Sequence, residues 1–242
     1  MPGHNEISVN ELARRIGAPD APILIDVCID EDFALDPRLI PGAARHPFQT
    51  IETRAEALKG RDVVIICQKG LKLSAGAAAI LRAHGARASH LAGGMVAWAG
   101  AGLPAIPAHA LPAKRVVAPE RPDAQMLASL WLIRRFADRD AKIIFAPDEM
   151  RDAIADRYQA TAAPAFGDMI NQLSLNLPQL NLIEAALSGK SSEAAGLDAV
   201  INGLHRLYTE DDKLMTFALP LFDALYQAYS DGIDQPNQRG AT

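Results

Sequence analysis

Cysteine is scarce in this sequence, whose 242 residues contain only Cys28 and Cys67. The chain lacks an apolar segment near its N-terminus and any run of about 18 apolar residues, so we expect neither secretion nor membrane insertion. An excess of positive charge is also missing: 24 Lys and Arg stand against 29 Asp and Glu, which argues against a large nucleic-acid-binding surface. Two cysteines without an export signal predict a cytoplasmic protein with functional rather than structural thiols.

Cys67 lies at a predicted junction between a strand and a helix. It follows the apolar run 63–66, which is typical of a buried parallel strand, and it opens the hexapeptide Cys67-Gln68-Lys69-Gly70-Leu71-Lys72. The Ala- and Leu-rich residues 73–84 predict a helix directly behind this hexapeptide. A helix N-terminus carries partial positive charge and unpaired N–H groups, and two lysines stand beside it. The position therefore favours thiolate over thiol.

Short apolar runs alternate with helical segments through the first 100 residues. Strands are predicted at residues 23–27, 63–66 and 86–91, and a short strand near Glu6 leads into a helix at 9–16 with Ser8 or Asn10 as its N-cap. The further predicted helices are 49–58, 73–84 and 95–100. This alternation predicts an α/β domain with a doubly wound parallel sheet, in which ligands bind at the carboxyl ends of strands.

Four groups of residues in this region resemble the landmarks of the rhodanese (sulfurtransferase) family and follow the family's order. They are the strand 23–27, the turn Ile40-Pro41-Gly42-Ala43, the loop 67–72, and Leu91-Ala92-Gly93-Gly94 with Ala97-Trp98 and Gly102-Leu103-Pro104. The resemblance implies a rhodanese-like domain with a parallel sheet at residues 1–107.

The resemblance implies sulfur transfer through Cys67 as the catalytic nucleophile. Its thiolate would take a sulfane sulfur from a small anionic donor such as thiosulfate, hold it as a persulfide and pass it to a thiol or cyanide acceptor. The predicted substrate-binding residues are Gln68, Lys69, Gly70, Leu71 and Lys72. Gly70 permits the loop to curl so that its N–H groups form an anion nest, and the two lysines attract the donor. No cofactor is expected.

Two features of the loop bear on its substrate. Phosphatase relatives of the same fold use a loop one residue longer, so the length of this one favours sulfur over phosphate. Lys72 stands where the family often has arginine or threonine, which offers a point charge without bidentate geometry. This difference is expected to alter donor preference without abolishing transfer.

Cys28 follows Asp26 and Val27, at a position where rhodaneses usually carry arginine. It is either a resolving thiol that approaches Cys67 or a small apolar plug at a strand end. Asp26 is expected to hydrogen-bond the turn at residues 41–42. No metal is expected in this region, because the spacing of its histidines fits no metal-ligand pattern. Those histidines are His46, His84 and His90.

The sequence becomes richer in proline and loses its apolar periodicity after Pro104. The prolines in residues 108–120 predict an extended interdomain linker. The polar residues 231–242 predict a disordered tail. Between them, residues 121–230 predict a mainly helical domain with one strand at 142–146. Its predicted helices are 126–137, 148–158, 167–175, 178–188, 196–208 and 211–229.

This second region resembles the C-terminal domain of ChrB-type chromate-resistance proteins. The resemblance is carried by Arg121-Pro122, Trp131-Leu132-Ile133-Arg134-Arg135-Phe136, Ile144-Phe145, Gly203-Leu204, Leu207-Tyr208 and Phe222-Asp223-Ala224-Leu225-Tyr226. Two departures stand out: Ser129 replaces a cysteine that is usual in the family, and residues 166–182 contain neither His nor Cys. No metal is therefore expected there, and packing, a homodimer through the helical domain and regulation stay open as its roles.

Two functions of different class follow from the sequence. One is a thiosulfate-type sulfurtransferase. The other is a regulatory or sensor protein for oxyanion (chromate) or sulfur stress, in which Cys67 is modified once without turnover. Among other residues, Trp98 and Trp131 are expected to be core or interface anchors. Arg134 and Arg135 are expected on an exposed helix face, with oxyanion binding as the alternative.

Overall fold

The computed structural model describes residues 5–233, which form two compact units. The first contains the residues up to Leu111 together with Arg135–Arg139, and the second contains Pro112–Arg134 and the residues from Asp140 onward. No helix in the described range is long and apolar enough to cross a membrane. The tail predicted at residues 231–242 falls outside this range, except that the last helix continues to Ile233.

Strands and helices alternate along the first unit. Its strands are β1 (Glu6–Ile7), β2 (Ile23–Asp26), β3 (Arg38–Leu39), β4 (Ala43–Arg45), β5 (Asp62–Ile66), β6 (Arg87–Leu91) and β7 (Ile106–Pro107). Its α-helices are α1 (Val9–Ala13), α2 (Asp30–Leu35), α3 (Ala55–Leu58), α4 (Lys72–Ala83) and α5 (Gly94–Gly100). Short 3-10 helices at Phe48–Arg54 and Ala108–Ala110 complete it.

Five of these strands form a parallel sheet in the order β1-β6-β5-β2-β4. The predicted fold class is confirmed. β5 occupies the centre, paired with β2 so that Ile66 lies opposite Asp26. Its residues Val63, Val64, Ile65 and Ile66 are at most 1% exposed, as expected for a strand covered on both faces. The antiparallel pair β3 and β7 forms a separate small sheet.

The second unit combines a small sheet with helices. Its strands β8 (Arg115–Pro119), β9 (Lys142–Ala146) and β10 (Thr161–Ala162) are parallel, with β8 in the middle. Its helices are α6 (Ala124–Leu132), α7 (Arg151–Tyr158), α8 (Phe166–Gln172), α9 (Pro178–Leu187), α10 (Ala194–Leu207) and α11 (Asp211–Ile233), with a 3-10 turn at Asp148–Met150. A π-helical turn at Ile133–Ala137 follows α6, and its residues from Arg135 onward belong to the first unit. The predicted, mainly helical character is confirmed.

Part of the predicted linker is an ordered strand. Residues 115–119, placed in the linker at 108–120, form β8, and Val116, Val117 and Ala118 are fully buried. Prolines suggested an extended linker, but Pro119 lies at the end of the strand and does not interrupt it. The described boundary between the units lies after Leu111.

Two aromatic anchors behave as predicted, and two arginines do not. Trp98 is 1% exposed and donates to the Pro104 carbonyl at 2.8 Å, while Trp131 is fully buried and donates to Asp223 Oδ1 at 2.8 Å. Arg134 and Arg135 are half-buried, so the expectation of an exposed face was wrong. They lie in the π-helical turn after α6. The periodicity of a regular α-helix does not apply there, so it did not predict correctly which face these side chains occupy.

Candidate active site

Cys67 lies at the carboxyl end of the central strand of the sheet. It directly follows β5, and α4 begins five residues later at Lys72, so the predicted strand, loop and helix are confirmed. The side chain of Cys67 is 5% exposed. Both neighbouring strands, β2 and β6, are parallel to β5, so the loops that follow all three strands meet at this edge.

Ser74 is the polar partner of the Cys67 sulfur. The Sγ–Oγ distance is 3.1 Å, and the Ser74 hydroxyl reaches the Leu71 carbonyl at 3.2 Å. Ser74 is fully buried in the first turn of α4. When Cys67 is a thiolate, the hydroxyl can rotate to donate to Sγ, because a hydroxyl both donates and accepts. The sequence analysis missed this residue, because a serine in the first turn of a helix carries no motif of its own.

Gly70 gives the loop its tight path, as predicted. Its φ is +65°, and a Cβ at this position would stand 2.6 Å from the backbone nitrogens of both Gly93 and Gly94. Gly94 is also left-handed, with φ +59°. Backbone therefore packs directly on backbone between the loop and the turn that follows β6, which is possible only without side chains at these two positions.

The first turn of α5 holds the start of the loop. The N–H of Met95 donates to the Cys67 carbonyl at 3.0 Å, and that of Val96 donates to the Gln68 carbonyl at 3.0 Å. These are N–H groups of the kind that a helix start leaves without an intrahelical partner. They fix the carbonyls of the loop, whereas no loop N–H donates to Cys67 Sγ in the described residues. The anion nest expected around the sulfur stays a prediction.

The two loop lysines are available to an anionic ligand. Lys69 and Lys72 are exposed, and neither forms an ion pair with another described residue. Leu71, between them in sequence, is 63% exposed, while Gln68 is half-buried. The loop therefore surrounds a buried sulfur with exposed positive charge.

Asp26 and Cys28 form a buried pair next to the site. Asp26 Oδ1 accepts the Cys28 N–H at 2.7 Å, in place of the expected bond to the turn at 41–42. The aspartate side chain is short, so the Cys28 N–H, two residues further along the chain, is easier for it to reach than the turn at residues 41–42. Burial raises the pKa of the Asp26 carboxyl, against the opposing effects of the Cys28 hydrogen bonds and Arg45.

Burial also raises the pKa of the Cys28 thiol far above its ordinary value, and the neighbouring Asp26 carboxylate adds to this effect. A thiol held in the protonated form is a poor nucleophile. Of the two interpretations of Cys28, the apolar plug is the one that this environment favours.

Arg45 places a positive charge beside Cys28, the residue that stands where the family usually has an arginine. Its guanidinium donates to the Cys28 carbonyl at 2.9 Å and to Asp30 Oδ1 at 2.8 Å, and it lies 3.9 Å from the centre of the Phe33 ring. A cavity of about 340 Å³ opens beside it. Its lining residues are Val27, Cys28, Ile29, Asp30, Glu31, Arg45, His46, Pro47, Phe48 and Gln49.

The three histidines considered as metal ligands, His46, His84 and His90, have structural partners. His46 lies 3.0 Å from the Thr50 carbonyl, His84 lies 3.1 Å from Glu52, and His90 lies 3.2 Å from Glu6. Across the described residues, no three side chains of His, Cys, Asp or Glu come together as a group that could hold a metal.

Comparisons with known proteins agree with this division of the chain. The model of the rhodanese-like domain matches residues 8–101, and that of the ChrB C-terminal domain matches residues 117–229. A sulfurtransferase of Allochromatium vinosum is 33% identical over 103 residues, covering 42% of this chain and 94% of the relative. The chain belongs to the rhodanese-like family, and a ChrB C-terminal domain follows its rhodanese-like domain.

Solved structures of rhodanese-like proteins are similar to part of this chain. A rhodanese-related protein from Thermoplasma volcanium matches 43% of this chain and 98% of its own, with 20% identity and a TM-score of 0.37. A rhodanese-like domain protein from Staphylococcus aureus matches 39% of this chain and 90% of its own, with 29% identity and a TM-score of 0.35.

Proposed function

We propose that this protein is a thiosulfate-type sulfurtransferase that works through a persulfide on Cys67. The observation that carries the proposal is the setting of Cys67: a buried sulfur at the end of the central strand, bonded to Ser74 and bordered by two unpaired lysines. The membership of the chain in the rhodanese-like family and the name of its Allochromatium relative support it.

The first half-reaction loads the enzyme. Lys69 and Lys72 attract the dianionic donor to the loop, and the Cys67 thiolate attacks its outer sulfur. A bond forms between Sγ and the outer sulfur, and the sulfur–sulfur bond of thiosulfate breaks with its electron pair on the departing sulfite. The Ser74 hydroxyl stabilises Sγ before attack by donating a hydrogen bond to the thiolate.

The second half-reaction returns the enzyme to its starting state. A thiolate or cyanide attacks the outer sulfur of the persulfide, and the electron pair of the broken bond returns to Cys67 as thiolate. The loop needs no separate general base for this cycle, because both nucleophiles react as anions.

Turnover kinetics test the proposal. Mixing the protein with thiosulfate should release one sulfite per chain in a burst, and adding cyanide should then sustain steady thiocyanate formation. Persulfide that forms once and is never passed on would contradict an enzymatic role.

A second function, a sensor of chromate or sulfur stress, is favoured by one observation. Residues 117–229 form a ChrB C-terminal domain, and this domain belongs to a chromate-resistance family. A sensor would be modified once at Cys67 and would then change its association or its shape. Analytical ultracentrifugation before and after thiosulfate treatment separates the two functions, because a turnover enzyme need not change its sedimentation.

A further inference from the structure

Helix α10 of the second unit carries an exposed apolar stripe beside the face that it buries. Its buried residues are Leu197 and Ile201, and the helix packs on α9 and α11. The stripe consists of positions 196, 200, 203 and 207, whose spacing of four, three and four residues places them on one side of the helix. Val200 is 47% exposed and Leu207 is 73% exposed.

Two glycines complete this stripe and leave hollows in it. A Cβ built at Gly196 or at Gly203 meets nothing among the described residues within 4 Å, so the space above both glycines is open. Glycine is less favourable than alanine in a helix, and either position has room for an alanine. The fold of a single chain therefore gains nothing from these two glycines. We call Gly196, Val200, Gly203 and Leu207 the α10 stripe.

The α10 stripe is complementary to itself when two copies of the helix run antiparallel. With a two-fold axis between positions 201 and 202, Leu207 of each copy lies opposite Gly196 of the other. The same axis sets Val200 of each copy opposite Gly203 of the other. Each large side chain then enters the hollow above a glycine, which lets the two helices approach closely and pack without voids. A parallel pair would instead set glycine against glycine and leave the hollows empty.

The charges at the two ends of α10 also favour the antiparallel pair. Glu193 stands at the N-cap, whereas Arg206 lies in the last turn, and both side chains are exposed. Antiparallel pairing brings the end with Arg206 beside the end of the second copy that begins at Glu193, so unlike charges are neighbours. A parallel pair would bring the two Arg206 side chains to the same level. No charged residue belongs to the stripe itself, so its contact buries no charge.

The area available is close to the lower limit for a specific interface, which is roughly 1,000 Å² in total. α10 has 14 residues and is about 21 Å long. Directly after Leu207, the Tyr208 ring stacks on Phe217 of α11 with 4.2 Å between the ring centres, and Phe217 is 46% exposed. This aromatic pair extends the apolar surface at the end of the stripe. Such an area fits a dimer that dissociates on dilution.

We propose that this protein forms a two-fold symmetric dimer in which the α10 stripes of two copies pack antiparallel. The glycines of the stripe are the hollows that receive Leu207 and Val200 of the second copy. This gives the helical domain the role in a homodimer that its sequence leaves open. The dimer does not depend on sulfur transfer, because every residue of the stripe belongs to the second unit.

Sedimentation equilibrium of the full chain over a series of concentrations tests this proposal. Gly203→Val fills one hollow and sets valine against Val200 of the second copy. Asn202→Val is the matched control, because it places the same side chain at the next position, on another exposed side of α10. A third protein combines Gly203→Val with Val200→Gly, so that the new valine lies opposite the new glycine.

The wild type should be mainly dimeric at about 100 μM and mainly monomeric at about 1 μM. Gly203→Val should raise the dissociation constant at least about tenfold without loss of helix content by circular dichroism, since its side chain has open space in the single chain. Asn202→Val should match the wild type. The double variant should regain the wild-type dissociation constant within about threefold, which a role of Gly203 in the fold alone would not produce.

Three results would overturn the proposal. The first is a wild type that stays monomeric at about 100 μM. The second is a dissociation constant that Gly203→Val leaves unchanged, or that Asn202→Val raises equally, because the interface would then lie elsewhere. The third is a double variant that is folded but dimerises no better than Gly203→Val, because positions 200 and 203 would then not face each other.

Discussion

Gly94 lies so close to the backbone of Cys67 that a side chain between them has no room. A Cβ on Gly94 would overlap the Cys67 carbonyl oxygen and would stand 2.5 Å from the Gly70 nitrogen. The position of the nucleophile is thus set by a glycine 27 residues further along the chain. Loop and turn form one backbone assembly around the sulfur.

Gly94→Ala is expected to displace the loop and to abolish most sulfur transfer. The left-handed backbone alone costs an alanine about 1–2 kcal/mol, and the overlap with Cys67 adds to this cost. Thermal unfolding and kcat/KM with thiosulfate measure the two effects. Gly100→Ala is the control, because a Cβ there meets nothing within 4 Å. If Gly94→Ala kept wild-type activity, the close packing described here would not govern the site.

Ser74→Ala is expected to slow persulfide formation by roughly tenfold to one hundredfold. A hydrogen bond to a charged group contributes about 1.5–3 kcal/mol, and the Ser74 hydroxyl supplies one to the Cys67 thiolate. Rapid-quench measurement of sulfite release gives the rate. A rate equal to that of the wild type would show that the 3.1 Å contact has no role in loading.

Ser129→Ala is the matched control for that substitution. Ser129 is also a fully buried helical serine, but its hydroxyl has no hydrogen-bond partner among the described residues. Removing an unpartnered buried hydroxyl is expected to leave sulfur transfer unchanged and to raise the free energy of unfolding, because its desolvation is no longer a cost.

The sequence predicted the elements whose residues repeat a clear pattern. Strands β2 and β5 consist mainly of apolar residues, β6 stands just before the Gly93-Gly94 turn, and α4 is rich in alanine and leucine, so their positions were predicted within two residues. By contrast, α2 was missed: half of the residues in Asp30–Leu35 are acidic and none of the six is buried, so no buried apolar face marks it. β8 was missed because the prolines around it suggested a linker.

The candidate site was predicted in part, for a related reason. Cys67 and Gly70 lie within one loop, and the resemblance of that loop to the family's was enough to imply sulfur chemistry. The roles of Ser74 and Gly94 depend on distances across the fold, which no local pattern reports. The predicted hydrogen-bond partner of Asp26 was wrong for the same reason. Only the path of the backbone after β2 shows that the Cys28 N–H is within reach of its carboxylate.

Lys72→Ala is expected to raise KM for thiosulfate about fivefold. An exposed lysine near a bound anion contributes about 1 kcal/mol at contact distance in water, and salt screens this attraction. The dependence of kcat/KM on ionic strength should therefore weaken in the variant. Lys59→Ala removes another exposed charge just before β5, at the opposite end of that strand, and should change neither quantity. Identical salt dependence in Lys72→Ala and the wild type would place donor attraction elsewhere.

Asp26→Asn is expected to stabilise the protein at neutral pH. Burial raises the pKa of Asp26 in the folded state, so the stability it contributes is present below its unfolded pKa and is lost as pH rises through the folded value. Asparagine does not ionise, and its carbonyl still accepts the Cys28 N–H. The gain in free energy of unfolding over the wild type should appear above about pH 4 and grow with pH.

Asp62→Asn should change the free energy of unfolding in the opposite direction to Asp26→Asn. Hydrogen bonds from Arg87 and Arg15 lower the pKa of Asp62, so its contribution is present above its unfolded pKa and is lost as pH falls through the folded value. The variant should be less stable than the wild type at neutral pH, and the difference should vanish in acid. Urea unfolding from pH 3 to pH 8 measures both variants. If both variants changed the free energy of unfolding in the same direction at neutral pH, the raised pKa of Asp26 and the lowered pKa of Asp62 could not both be right.

Intact-mass analysis of the full chain after thiosulfate treatment tests the central claim most directly. The wild type should gain the mass of one sulfur atom, located on Cys67 by peptide mapping and removed by cyanide. Cys67→Ser, a nearly isosteric change, should fold normally by circular dichroism and gain nothing, while Cys28→Ala should gain one sulfur like the wild type. Sulfur on a folded Cys67→Ser chain, or a wild type that stays unmodified, would contradict the account.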